Sequence, residues 1–187
     1  MRKFIGKAGA LAAAGFLLAA TALHAQTRVL WDWSAFDIVH NDEIGRNYNA
    51  HTIAKHVGKS DAYLRDRTVY EGKQCASTFW NTYEANYWIR GALQDEDRFR
   101  QQYGYPDLWS TIQNARDYSQ VILRRFDFDP NIGWFHGIYV KELGKIYGAN
   151  GVRVVIKKVP YSVSGEGYIV EVAYPEMDPM NYYWCGS

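Results

Sequence analysis

The sequence predicts an α+β domain in which N-terminal helices pack on a C-terminal antiparallel β-sheet. Three observations predict it. Between Tyr83 and Gln102 the apolar residues Ala85, Trp88, Ile89 and Leu93 recur at helical spacing. From Tyr118 onward the period shortens. Val121 and Leu123, Ile138 and Val140, the run Val152, Val154 and Ile156, and the pair Ile169 and Val170 read as strands separated by Gly-bearing turns. The helical patterns also precede the strand patterns instead of alternating with them, which is the order of a helix group covering an antiparallel sheet.

Taken from the start, Arg2, Lys3 and Lys7 precede an apolar run from Ala8 to Ala20 that is short for a bilayer span. Leu23-His24-Ala25 before Gln26 makes a cleavage site, with Ala20-Thr21-Ala22 as a rival. Residues 1–25 therefore read as a secretory signal. The chain is expected to be exported, to the periplasm or beyond, with no stable membrane association once the signal is removed. Roughly 160 residues then remain, the size of one domain. That removal takes three of the 21 Lys and Arg, against 20 Asp and Glu, so the balance turns slightly acidic. This excludes the strongly basic surface of a general nucleic-acid binder. Any anion site must be a local patch, with candidate cations at Lys55, Lys59, Arg65, Arg67, Arg124, Arg125, Lys157 and Lys158. Residues 26–49 carry Trp31, Trp33, Phe36 and Tyr48 and read as an aromatic-rich arm that packs its rings on a domain spanning 50–187. A stacking platform for bases is the alternative.

His51-Thr52-Ile53-Ala54-Lys55-His56-Val57-Gly58-Lys59-Ser60 follows, running on to Arg67. It concentrates two imidazoles and several cations in one stretch, broken by a turn at Val57-Gly58. Imidazole titrates near neutral pH, so a His among cations suits proton transfer beside a phosphate. If the helix included both, residues five apart would sit about 140° from each other, so His51 and His56 would not share a helical face. Surface charges around a capped helix start are the plainer reading. Ser60-Asp61 caps a short helix from Ala62 to Arg67, and Gly72 marks a turn. Ala76–Phe79 reads as a short strand. Asn81 or Thr82 caps the long helix, Gly104-Tyr105-Pro106 ends it, and Asp107 opens another carrying Leu108, Ile112 and Ala115.

Cys75 and Cys185 are the only cysteines. An even count in an exported chain favours one disulfide. It would close a roughly 110-residue loop and contribute about 4–5 kcal/mol at most by the chain-entropy estimate. A Cys75–His nucleophile pair, as in a secreted hydrolase, is the rival. Gly133-Trp134-Phe135-His136-Gly137 reads as a hairpin with one ring packed inward, or as a ligand-binding turn. No His-x-x-x-His or Cys-x-x-Cys spacing is present, so metal binding has little support in the sequence.

The phrase His51-Thr52-Ile53, His56-Val57-Gly58-Lys59-Ser60, Leu64 and Arg67 resembles the opening motif of the bacterial RNase A-like toxin domain, found at the C-terminus of CdiA-type contact-dependent growth inhibition effectors. Three later pieces are similar to the same family in the same order: Ala76-Ser77-Thr78-Phe79, Val152-Arg153-Val154-Val155-Ile156 and Ala173-Tyr174-Pro175. The resemblance spans roughly His51 to Pro175 and implies an RNase A-like fold. It also implies RNA cleavage through a 2′,3′-cyclic phosphate that needs no metal and no cofactor, and an immunity protein as partner. Carried over by motif, it implies His56 as acid or base with His51 in reserve, Arg67 as phosphate clamp and Tyr174 as hydroxyl donor. Lys59 and Thr78 would contact substrate. One position departs: Val172 stands where the family has Thr. Residues 172 and 174 share a strand face, so an apolar side chain would replace a donor worth about 100- to 1000-fold in rate. The competing expectation is an impaired domain reused as a periplasmic binding module.

Overall fold

The computed structural model describes residues 31–126, 137–141 and 143–177. The expected signal, the 133–136 turn with His136, and Cys185 lie outside the described residues. Among the described residues six α-helices and six strands follow in the order α1 (Ile38–Ile44), α2 (Thr52–His56), α3 (Asp61–Tyr70), β1 (Cys75–Thr78), α4 (Thr82–Gln102), α5 (Leu108–Asn114), β2 (Gln120–Phe126), β3 (Gly137–Val140), β4 (Lys145–Gly148), β5 (Gly151–Lys158), α6 (Tyr161–Ser164) and β6 (Tyr168–Glu176).

The helix starts follow from their caps. Asn81 accepts from Glu84 N at 2.9 Å to start α4, and Asp107 accepts from Ser110 N at 2.6 Å to start α5. Ser60 accepts from Tyr63 N at 3.2 Å to start α3, which runs past the expected Arg67 to Tyr70. It ends where Gly72 adopts φ +69°, a left-handed conformation that favours glycine.

The strands form two three-stranded sheets, where the sequence suggested one: β2-β5-β6 and β1-β3-β4, antiparallel throughout. The long helix α4 lays Ala85, Trp88, Ile89, Ala92 and Leu93 on one face of the first sheet, against Leu123, Val152, Val154, Ile156 and Val170. Trp33, Phe36 and Ile38 join this core from the N-terminal side. They are held by Trp33 Nε1 donating to the buried carboxylate of Asp97, Ile38 N donating to Asn86 at 2.8 Å, and Arg90 Nε donating to Phe36 O at 2.7 Å. The elements that the sequence reading does not contain are α1, β4 and the short α6. Asp37 caps α1 through Val39 N and His40 N, inside a stretch read as an arm. Strand β4, Lys145-Ile146-Tyr147-Gly148, has no apolar alternation to announce it.

Strand β6 determines the site. Its pairing with β5 shifts register between Val155 and Ile156, which face Val172 and Val170 respectively, so Glu171 is an extra residue. Before this bulge the even-numbered Tyr168 and Val170 face the α4 core; after it Ala173 does. One inserted residue thus turns Val172 and Tyr174 away from the core and onto the opposite face, the re-aiming that bulges provide. The outer edge of β6 is covered. Asn41 donates to Val170 O at 2.8 Å and accepts from Val170 N at 2.7 Å, His51 N donates to Glu171 O at 3.1 Å, and Thr52 Oγ1 accepts from Ala173 N at 2.8 Å. Helix α2 is thereby pinned against the turned face of β6.

Candidate active site

A cleft of about 580 Å³ lies between α2, α3, β1 and the turned faces of β5 and β6. Its walls include His51, Lys55, His56, Arg67, Glu71, Ser77, Arg153, Val172, Tyr174 and Glu176. His51, His56, Arg67 and Tyr174, singled out in the sequence, are therefore brought together.

The two histidines sit at opposite ends of a single-turn helix. His51 is the residue before α2, with φ −154° and ψ 23°, so it is not helical and the 140° separation does not apply. Its ring reaches the same cleft as His56, with centroids 6.4 Å apart. The helix start is capped from outside by Asp42, which accepts from Ile53 N at 2.7 Å. Burial raises the pKa of that carboxyl. Helix α2 ends because the chain joins β1 in a parallel bridge, Val57 opposite Phe79. Phe79 N donates to His56 O and Gly58 N donates to Phe79 O, both at 2.8 Å. Gly58 makes the exit at φ +64°.

Each imidazole is oriented by a backbone carbonyl. His56 Nδ1 lies 3.0 Å from Ser77 O, and His51 Nδ1 lies 2.5 Å from Asn49 O. A carbonyl only accepts, so Nδ1 carries the hydrogen in each ring and the neutral ring leaves Nε2 bare. His56 is 7% exposed. Burial pushes its pKa down to about 3, and the charges of Arg67, His51 and Lys55 push the same way. The His56 ring stacks on Tyr174, with centroids 5.2 Å apart and planes 27° apart. His51 is half-buried at the rim.

Arg67 comes from α3 to lie beneath Lys55. Its Nε and one terminal nitrogen donate to Glu71 at 3.2–3.3 Å, and the other terminal nitrogen donates to Lys55 O at 3.4 Å. A guanidinium has five N–H donors. One hydrogen on each terminal nitrogen is left over, enough for a two-point contact with an anion. Arg67 in turn holds the Glu71 carboxyl below the usual range through that hydrogen bond. On β6, burial raises the pKa of the Tyr174 phenol, so it stays protonated and able to donate. Val172 lines the cleft beside it as an apolar wall. Glu171, the bulge residue, also keeps its carboxylate off the α4 core, where it accepts from Lys157 at 2.7 Å and from Asn49 at 3.1 Å.

Lys59 and Thr78 lie elsewhere, in a neighbouring hollow of about 480 Å³ with Trp80 and Tyr147. The Thr78 hydroxyl accepts from Lys59 N at 3.0 Å and donates to Phe79 O at 2.8 Å, and the Lys59 ammonium sits 5.5 Å from the Tyr63 ring centroid. No cysteine is free among the described residues, so Cys75 offers no thiolate nucleophile. Its expected partner, Cys185, lies outside them. Among the described residues no group of three or more His, Cys, Asp or Glu is placed to hold a metal ion.

Sequence reasoning missed Arg153 and Glu71. Arg153 is the charged residue inside Val152-Arg153-Val154, and period-two reading puts it on the face away from the core. Nothing in the sequence says that this face is the cleft. Glu71 lies four residues after Arg67, a helical ion-pair spacing that was available as a signal.

Residues 50–175 match the family described as the bacterial CdiA-CT RNAse A domain. No curated protein matches the chain. Among solved structures, the crystal structure of the CdiA-CT/CdiI complex from Y. kristensenii 33638 is similar in fold, with 18% sequence identity and a TM-score of 0.51. The match covers 68% of this chain and 99% of that one.

Proposed function

This chain belongs to the bacterial CdiA-CT RNase A domain family, and from that premise we propose that it is an exported, metal-independent endoribonuclease that cuts RNA by internal transphosphorylation. The carrying observation is the pair of imidazoles on one cleft, each with Nδ1 tied to a carbonyl and Nε2 left for chemistry, beside Arg67.

The reaction needs one proton acceptor and one proton donor flanking a phosphodiester. His56, neutral at pH 7, is suited to take the proton from the ribose 2′-hydroxyl at Nε2. The 2′-oxygen bonds to phosphorus as the bond to the 5′-oxygen breaks. His51, at the rim, is placed to give a proton from Nε2 to the leaving oxygen. The products are a 2′,3′-cyclic phosphate and a 5′-hydroxyl. The remaining Arg67 hydrogens and the Tyr174 hydroxyl are donors for the charge gathering on the phosphoryl oxygens. A bound phosphate also offsets the Arg67 and Lys55 charges that depress His56, and so raises its basicity when substrate arrives.

Export fits the lack of a free cysteine among the described residues, and Cys75 paired with Cys185 belongs to this reading. The similar structure holds a CdiA-CT together with CdiI, which supports a dedicated immunity protein as partner here. Val172 favours the second reading, a cleft that binds but does not cut. Cleavage of a fluorescent RNA by the oxidised mature chain in EDTA separates the two. Activity lost about 100-fold or more in His56→Ala, His51→Ala and Arg67→Ala supports the ribonuclease. Silence in the parent with activity gained in Val172→Thr means that the scaffold persists with its chemistry switched off. Silence in both selects the binding module.

A further inference from the structure

We propose that Arg153 is a positioning residue for Tyr174. Its guanidinium occupies the acceptor side of the Tyr174 hydroxyl and thereby turns the phenolic proton into the cleft, toward the phosphate. The inference rests on the ribonuclease reading and adds a group that the sequence motifs gave no role.

The β5–β6 register sets Arg153 directly opposite Tyr174 on the turned face of the sheet. The guanidinium carbon lies 5.7 Å from the Tyr174 ring centroid, which brings its N–H groups within reach of the tyrosine oxygen, and burial raises the phenol's pKa while the Arg153 charge and hydrogen bonding pull it down. Arginine has donors and no acceptor. In that bond the tyrosine oxygen must accept, so its own hydrogen points elsewhere. A hydroxyl without such a neighbour rotates freely between donating and accepting. One with a fixed donor on its lone pairs is preorganised to donate, which is what a developing phosphoryl charge requires.

Arg153 is itself held. Its Nη2 lies 2.7 Å from Glu176 Oε1, with the two side chains 11% and 13% exposed. Strand β6 has two hydroxyls, and Tyr168 faces the α4 core. Tyr174 is therefore the strand's single hydroxyl on the cleft, with Val172 apolar beside it. The orientation of that one group carries the whole contribution of the strand.

The test uses the full oxidised chain with tyrosine labelled at the ring Cζ and the Tyr174 signal assigned with Tyr174→Phe. Removing Arg153 alone would leave the Glu176 carboxylate with only its longer contact to Arg124 Nε at 3.4 Å, so Glu176→Gln serves as reference and Arg153→Met is made in that background. Arg153→Lys is the conservative control. Tyr174 is expected to ionise at higher pH in Arg153→Met/Glu176→Gln than in Glu176→Gln, since a cation and a donor are lost. An unchanged titration overturns the proposal. In RNA cleavage, Arg153→Met is expected to cost on the order of 100-fold in kcat with KM little changed. With Tyr174→Phe already present, the cost is expected to fall below about 3-fold, and Arg153→Lys is expected to restore part of the rate. An equal loss with and without Tyr174 overturns the proposal in favour of a direct phosphate contact by Arg153. A parent that cleaves no RNA overturns the ribonuclease reading alone, and the titration of Arg153→Lys then decides: a Tyr174 titration fully restored by the lysine is an effect of charge and overturns the orienting role, and one only partly restored supports it.

Discussion

At the scale of single residues, His56 combines two roles that pull against each other. Its ring is buried against Tyr174 and tied to Ser77 O, which fixes the tautomer, yet burial opposes its protonation. That opposition has a sign in folding stability. The folded chain binds a proton at His56 with pKa about 3, against about 6.5 for an unfolded histidine. Between these values the unfolded chain holds the proton and the folded chain does not. The contribution is complete above pH 6.5 and is lost as pH falls toward 3, with a slope of up to ~1.4 kcal/mol per pH unit. Urea unfolding of the parent and His56→Gln across pH 4–7 should show the parent losing stability more steeply on acidification. Parallel curves would mean that the ring is hydrated or shares its proton in the folded state. His51, at the rim, is the reserve candidate in the sequence, and in the proposed mechanism it shares the proton transfers with His56.

At the scale of elements, what the sequence revealed and what it hid divide along a physical line. Local rules announced α4, α5 and α3, because Asn81, Asp107 and Ser60 are side-chain caps that act within three residues. Period-two patterns announced β5 and most of β6 for the same reason. The bulge at Glu171 was not legible, since Ile169-Val170-Glu171-Val172-Ala173 reads as an unbroken strand and the extra residue is defined only by its pairing with β5. Yet that bulge decides whether Tyr174 meets the core or the cleft. Arg67 and Tyr174 were recognised through family motifs, whereas Arg153 lay inside one of those motifs without a role. The edge of β6 is equally a matter of tertiary pairing. Asn41, 5% exposed, satisfies both backbone groups of Val170, and its loss would leave a buried N–H and a buried carbonyl unpaired. Asn41→Ala should therefore cost about 2–4 kcal/mol, read as a lower urea midpoint at unchanged slope. The loosened α2–β6 contact should also reduce activity. A cost under about 1 kcal/mol would mean that water replaces both bonds.

At the scale of the whole molecule, the cleft belongs to no single segment. Thr52 and Ala173, which join α2 to β6, are 121 residues apart in the chain. The walls of the cleft come from helices on one side and from strands of both sheets on the other. Charge is organised in the same distributed way. Arg67 carries Glu71 and Arg153 carries Glu176 as close partners, at 3.2 and 2.7 Å. Lys55 stands exposed at the rim. A cation already matched by a carboxylate releases fewer counterions when a phosphate arrives. The chain as a whole is close to neutral, with a formal charge of +1 before any signal is removed. Under the proposed ribonuclease function, long-range attraction for RNA is therefore weak, and recognition falls to short-range contacts inside the cleft. Binding of an uncleavable 2′-O-methylated RNA, titrated between 50 and 200 mM KCl, should give a log–log salt slope of about −0.7 to −1.4, equivalent to one or two single-strand phosphates. A slope steeper than about −3 would require a basic path running beyond the cleft, with Arg124 and Lys157 giving up their carboxylate partners Glu176 and Glu171. The RNA would then track the outer face of the β2-β5-β6 sheet instead of entering at a single phosphate.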